Sequence, residues 1–237
     1  QVFHVNDPDL KQETSHSYMG SINYQIVKPK GSLEFLAEFF YTDLQDPFAN
    51  EIGEADADGV VVYTRVNESE GAVVKGVNLE ATWLPNAQWR INGSFTFQSS
   101  RYGAPQDFNE KKFFRTPNKY GYFMIEYRPT EKLILNTNAT YTGEMLVPYF
   151  GPLAPVGPEG EMLGLLKNSD PFFDWSIKGG YTIATGIGNF QLFAGVKNIL
   201  NQYQNDHDTG PDRDPGYIYG PLAPRTVFFG LKVSNIL

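Results

Sequence analysis

Four aspartates crowd one stretch of the chain. Asp206, Asp208, Asp212 and Asp214 lie between Asn205 and Tyr219, interleaved with Thr209, Gly210 and Arg213. Carboxylate and carbonyl oxygens at this density suit calcium, which takes about six to eight oxygen ligands. The spacing is not that of an EF-hand, because no bidentate Glu closes it. A turn network tied together by Arg213 uses the same residues. The cofactor expectation is therefore none, with a calcium ion in the 201–219 loop as the candidate exception.

Aromatic residues gather in three polar segments: Tyr102, Phe108, Phe113 and Phe114 in one, Tyr149 and Phe150 in the next, Tyr203, Tyr217 and Tyr219 in the last. Broad apolar faces with a few polar tips suit a bulky amphipathic ligand. These nine are the candidate ligand-binding residues, and packing of the loops on themselves is the alternative for each. His4, His16 and His207 are scattered, with no nucleophile and orienting acid to complete a catalytic set. His4 and His16 flank the start of the first strand, where haem or metal ligation competes with plain solvent exposure. The chain has no cysteine, which removes disulfides, thiolate catalysis and zinc–thiolate sites. No enzyme is expected.

The elements that must position these loops read as long strands. In Asn189 to Lys197 the residues Phe190, Leu192, Ala194 and Val196 alternate with Gln191, Phe193, Gly195 and Lys197. Val227, Phe229, Leu231 and Val233 do the same near the end, and Gln88 to Ser100 sets Trp89, Ile91, Gly93, Phe95 and Phe97 against Arg90, Asn92, Ser94, Thr96 and Gln98. This is the period of a strand with a different environment on each face. No stretch resembles an apolar helix of about 20 residues. Strands of this length suit a membrane crossing, which takes about 9 to 11 tilted residues, better than a soluble sheet. A net charge of -8 argues against a nucleic-acid partner.

Short turns alternate with long loops. The short ones are 28–31, 84–87, 128–131 and 185–188; the long ones lie near 44–59, 101–116, 145–170 and 201–219. Outer-membrane barrels show this asymmetry, with short turns on the periplasmic side. To keep the long loops on one side, 60–84 is read as a single irregular strand. Nine strands follow: roughly 11–27, 32–43, 60–84, 88–100, 117–128, 132–144, 171–184, 188–200 and 222–234. Nine strands beginning and ending in the same direction do not close an antiparallel barrel, and open edges are not tolerated in hydrocarbon. No export signal is visible at Gln1. The expectation is that residues 1–237 are the C-terminal portion of a barrel, an incomplete domain.

The remaining outward faces are Ile22, Tyr24 and Ile26; Leu33, Phe35, Ala37, Phe39 and Tyr41; Val77, Leu79, Ala81 and Trp83; Leu133, Leu135, Ala139 and Tyr141; and Phe173, Trp175, Ile177, Tyr181 and Ile183. Trp83, Trp89, Tyr127 and Tyr181 near the short turns, and Tyr41, Phe97, Tyr141, Phe172 and Phe173 towards the long loops, form two aromatic girdles. Asn23, Gln25, Glu34, Glu38, Glu80, Arg90, Asn92, Gln98, Asn136, Asn138 and Lys178 make a polar inner wall.

The stretch Gly210 to Pro221 before the last strand looks like that of receptors from the Bacteroidota, and four motifs resemble the C-terminal part of TonB-dependent outer-membrane receptors. They are Asn6 to Ser15 ahead of the first wall strand, Gly76-Val77-Asn78-Leu79-Glu80 with Asn78 where Glu is usual, Gly195 to Asn201, and Pro224 to Leu231. Leu237 departs from the usual terminal aromatic. The resemblance implies an all-β antiparallel transmembrane barrel of 22 strands, of which these are about the last nine, with the plug absent. It implies an integral outer-membrane location and active uptake of a large scarce solute: a ferric siderophore, cobalamin or haem. Implied partners are outer-membrane lipid, the missing N-terminal strands and plug, the TonB energy-coupling protein, and a surface lipoprotein. A passive porin, another outer-membrane barrel and a soluble β-sandwich carbohydrate-binding module are the alternatives.

Overall fold

The computed structural model describes residues 2–52, 61–158, 163–211 and 213–234. Fourteen strands are present among them: β1 (Val2–Asn6), β2 (Thr14–Lys28), β3 (Gly31–Gln45), β4 (Phe48–Ile52), β5 (Val61–Asn67), β6 (Ala72–Leu84), β7 (Trp89–Tyr102), β8 (Lys119–Tyr127), β9 (Leu133–Thr142), β10 (Leu146–Tyr149), β11 (Leu165–Asn168), β12 (Phe172–Thr185), β13 (Gly188–Lys197) and β14 (Thr226–Ser234). Nine form one sheet in the order β14-β13-β12-β9-β8-β7-β6-β3-β2. Every neighbouring pair in it is joined by a connection without an intervening wall strand, so the expected count and order of the wall hold. β2 and β14 are its edges.

One expected element is corrected. Residues 60–84 are not one strand: Glu68–Gly71 is a turn, and only β6 enters the wall. Gly71 sits at φ +69, a left-handed backbone that glycine adopts freely. Its N–H closes the turn on the Glu68 carbonyl at 3.3 Å. β5 instead joins a separate three-stranded sheet, parallel to β1 and antiparallel to β4. The expectation of one strand came from keeping the long loops on one side, and β5 satisfies that condition by leaving the wall. The first wall strand starts at Thr14 rather than 11, and β1 was not expected.

Two compact units can be distinguished: Gln1–Gly20 with Phe39–Gly76 and Gln98–Phe113, and Ser21–Glu38 with Val77–Phe97 and Phe114–Leu237. In the first, Asn67 ties the segments around the small sheet. Its amide donates to the Lys11 and Asp46 carbonyls at 3.0 and 2.7 Å, and its Oδ1 accepts from the Lys11 N–H.

In the second, register fixes the faces. Ile91, Ile125, Thr137, Ile177, Val196 and Val227 pair in one row across six strands, and Trp89, Tyr127, Leu135, Gly179, Ala194 and Phe229 in another. The apolar set expected to face outward is thus continuous. Phe229 is 87% exposed, a placement that suits lipid and not water. The opposite face carries the row Arg90, Glu126, Asn136 and Lys178. Asn78 knits this face together, accepting from Ser94 and Thr96 hydroxyls at 2.9 and 3.0 Å and donating to Glu80 at 2.9 Å. The usual Glu of that motif has no amide to donate. Phe172 is corrected from the girdle: it pairs with Thr142 on the inner side and is buried.

Candidate functional site

A single sheet has little interior, and the buried apolar cluster lies in the long loops. Met145, Val147 and Tyr149 alternate along β10 and its approach, so period two places them on one face, where they bury with Ala154 and Tyr217. β11 holds β10 in register, Leu146 opposite Asn168. Tyr217 meets Tyr149 edge-on at 4.9 Å and Tyr219 at 5.2 Å. Lys167 Nζ lies 3.6 Å from the Tyr149 ring centroid and 4.6 Å from that of Tyr217, a cation–π cap on the pair.

The aspartates complete this cluster. Tyr217 and Tyr219 hydroxyls donate to the two oxygens of Asp206 at 2.9 and 2.8 Å. Tyr149 donates to Asp208 Oδ1 at 2.9 Å, and the Asp214 N–H to Asp208 Oδ2 at 3.0 Å. Asp214 accepts from the Gly216 and Phe150 N–H groups, each at 2.8 Å. Each oxygen of the three carboxylates therefore has a donor. Arg213 takes no part and bonds the Gly210 carbonyl instead. Among the described residues no group of three His, Asp or Glu side chains is placed to hold a metal, and Asp212 lies outside them.

Burial and the Asp206 hydrogen bond raise the phenols of Tyr217 and Tyr219, the latter to about 12. Burial also raises Tyr149, with Asp208 adding to it. For Asp206, desolvation works against the charge, but the hydroxyls of Tyr219 and Tyr217 outweigh it and its pKa falls.

Of the nine aromatic candidates, the structure brings Tyr149, Tyr217 and Tyr219 together, the first two buried. Phe150 and Tyr203 are exposed, and Phe114 is half-buried. Tyr203 lines an open cleft of about 510 Å³ with Asp170, Asn201, Gln202 and Asn205. In the other unit, Tyr102 and Phe113 are half-buried against each other at 4.4 Å, and Phe108 sits in the turn Asp107–Asn109.

Asn198 and Asn201 anchor the Tyr203 cleft. Asn198, 3% exposed and at φ 48, donates to the Gln202 and Ala223 carbonyls at 3.0 Å each and accepts from the Gln202 N–H at 3.0 Å. Asn201 Oδ1 accepts from the Arg225 N–H at 2.8 Å. Two motifs separate in sequence, Gly195 to Asn201 and Pro224 to Leu231, are thus one clamp at the entry to β14.

The face opposite the apolar rows also carries Tyr120, Tyr122 and Met124 on β8, all exposed, in register with Thr96, Ser94 and Asn92. Sequence reading passed over them because β8 has aromatics on both faces, and alternation alone does not say which is inner. Lys178 and Lys197 lie over the inner-face rings of Phe193 and Phe228 at 4.4 and 5.7 Å. Asp174 Oδ1, beside Thr140 in the row of Tyr122, is buried with no hydrogen-bond partner among the described residues.

The family model of the TonB dependent receptor-like beta-barrel matches residues 1–199. The chain belongs to this family. It is a family of outer-membrane transport receptors and not of enzymes, and the nine-stranded sheet is a portion of such a barrel. No curated protein matches the chain. Among solved structures it is similar to the ferric-catecholate import receptor Fiu of E. coli K12, at 20% identity and a TM-score of 0.62 over 95% of this chain and 28% of that one. The copper transporter OprC gives 15% identity and a TM-score of 0.64 over 94% and 31%, and the FrpB iron transporter of Neisseria meningitidis 13% and 0.60 over 96% and 32%. The chain spans less than a third of each of these receptors. At these identities the likeness concerns fold, and it sets aside the two-sheet sandwich. In this receptor wall the matched region ends just after β13, and β14 is placed by its pairing with β13.

Proposed function

We propose that this chain is wall and outer-loop structure of a TonB-dependent importer that captures a ferric siderophore at its long-loop end. Cobalamin and haem are the other solutes the family resemblance implies. The protein is integral to the outer membrane, with strands of 13 to 15 residues in β2, β3, β6, β7 and β12. A plug and further strands complete it, and TonB supplies the work of transport.

The observation that carries this reading is the open polar cleft at Tyr203, on the long-loop side of a wall of this family. Tyr203 offers a ring face, and Asn201, Gln202 and Asn205 offer amides. A siderophore combines flat apolar rings with polar chelating groups, and these side chains complement both. The ferric-catecholate receptor and the iron transporter named above make iron the solute to test first. Phe150 and Tyr219 belong to the same loop set. Tyr149 and Tyr217 act in it as supports, since they are buried.

The test is titration of the purified receptor with ferric catecholate, together with uptake of labelled iron by cells with and without TonB. Tyr203→Ala should weaken binding by about tenfold or more, the size expected for a central aromatic contact. Uptake that persists without TonB would make the protein a passive pore.

A further inference from the structure

The two ends of the wall carry clefts of similar size and opposite charge. At the long-loop end the Tyr203 cleft, about 510 Å³, has a single charged side chain in its lining, the carboxylate of Asp170. At the short-turn end a second open cleft, about 560 Å³, is lined by Lys28, Lys30, Arg90 and Arg128, with Glu126 as its one carboxylate. The chain as a whole has 27 acidic residues against 19 basic ones, so composition alone does not gather four cations around one carboxylate. Both volumes lie in the range of small-ligand sites, about 300–1,000 Å³.

Three short turns frame the basic cleft. Gly31 leaves no room for a Cβ against the Leu84 and Pro85 carbonyl oxygens, and this close approach joins turn 28–31 to turn 84–87. Gln88 joins the second turn to the third. Its carbonyl accepts from the Arg128 N–H at 2.8 Å, and its side-chain amide donates to the Pro129 carbonyl at 3.2 Å. Register sets Arg90 opposite Glu126 on the inner face. Glu126 is taken by Arg128 Nε at 2.8 Å, and among the described residues no carboxylate pairs with Arg90, Lys28 or Lys30. A braced frame thus holds three cations with no protein counterion beside one small cavity, an arrangement complementary to a compact anion of several charges.

We propose that this cleft is a second solute site, which takes a polyanionic ferric chelate as it leaves the lumen on the short-turn side. The proposal rests on the siderophore reading above and adds the charge of the solute to it. Catecholate oxygens are anionic, so a ferric catecholate carries an excess of negative charge, whereas a ferric hydroxamate is neutral overall. The Tyr203 cleft offers either chelate a ring and amides but no cation. The basic cleft holds only the anionic one, and passage from the first cleft to the second runs down an electrostatic gradient.

The experiment is equilibrium dialysis of the purified full receptor against radioactive iron, supplied as ferric catecholate or as neutral ferric hydroxamate. The wild type should bind two catecholates but one hydroxamate per receptor. Arg90→Gln with Lys30→Gln should weaken one catecholate site about twentyfold, at about fivefold for each cation removed, and leave hydroxamate binding unchanged. Raised salt should weaken that same site. Tyr203→Ala should weaken the other catecholate site and the hydroxamate site together. Lys30→Gln alone, in an exposed turn, gives the smaller shift with the wall untouched, and heat-modified gel mobility shows an intact barrel in each variant. Catecholate binding that ignores the cation variants, or two equal hydroxamate sites in the wild type, would overturn the proposal. A single catecholate site that is lost with the cations and kept in Tyr203→Ala would support it and sink the Tyr203 reading instead.

Discussion

The wall and the cluster around Tyr149 and Tyr217 meet the same requirement in opposite ways. In the wall, backbone groups pair strand to strand, and the apolar side chains point away from the protein, Phe229 and Val227 among the most exposed. Lipid supplies their surroundings, so the wall needs no core of its own. The loop cluster stands beyond the strands, in water. It has to bury its own apolar surface and to satisfy its polar atoms with side chains, which it does with three tyrosines, three aspartates, Gln204 and Lys167. Gln204, 1% exposed, donates to the Tyr217 carbonyl at 2.9 Å and accepts the Tyr219 N–H at 2.9 Å. One region is held by repetition and the other by particular residues.

The strongest way to separate the two is Tyr217→Ala. Truncating a fully buried aromatic costs about 3–5 kcal/mol, and here the cost should stay in the loops. Hydrogen exchange and limited proteolysis should show 204–219 opened, while β8, β9 and β12 keep their protection. Concerted loss of the wall would show that the two regions are one cooperative unit.

Asn198→Ala comes next. It removes three hydrogen bonds in a site almost closed to water and leaves the Gln202 N–H without its acceptor, for about 2 kcal/mol. Because the clamp holds Ala223 just before β14, exchange should quicken in both the 198–204 segment and β14. Protection of β14 at wild-type level would assign that strand to its ladder with β13 alone.

The gentlest probe is pH. Tyr217 and Tyr219 are raised above the usual phenol value of about 10, so their protonated forms stabilise the folded loop fully below about pH 10. That contribution is lost as pH rises towards the folded-state value, about 12 for Tyr219. Asp206 is lowered, so its contribution is present above the ordinary carboxylate range and is lost in acid as pH falls through its depressed value. Proteolysis of 204–219 should be slow near neutrality and should accelerate above pH 10, with the wall unaffected. A flat rate to pH 12 would mean that the phenol–carboxylate bonds do not hold the loop.

How far each region was legible follows from how it is held. Alternation in Asn189–Lys197 and Thr226–Ser234 gave strand, face and partner at once, because a ladder repeats every two residues. The reading failed at 60–84, where loop parity and not alternation joined Val61–Asn67 to the wall, although it pairs with β1 and β4. Alternation reports a two-faced strand and not the sheet it enters. In the loop, Asp206, Asp208, Tyr217 and Tyr219 stood out by type, and their spacing was read towards calcium or Arg213. The structure shows phenols as the carboxylates' partners. Tyr149 and Asp208 are far apart in sequence, and no local spacing brings them together.

The sequence by itself determined the all-β class, the nine wall strands, the outward apolar face and the separation of short turns from long loops, since each is written in a period or a turn of a few residues. Only the tertiary structure decided that β5 leaves the wall, that Asn198 and Asn201 clamp the approach to β14, and that Tyr149 and Tyr217 are buried while Tyr203 stays open. Those outcomes depend on which residues meet across strands and loops, and a hydrogen bond or a contact between distant segments leaves no periodic trace in the chain that makes it.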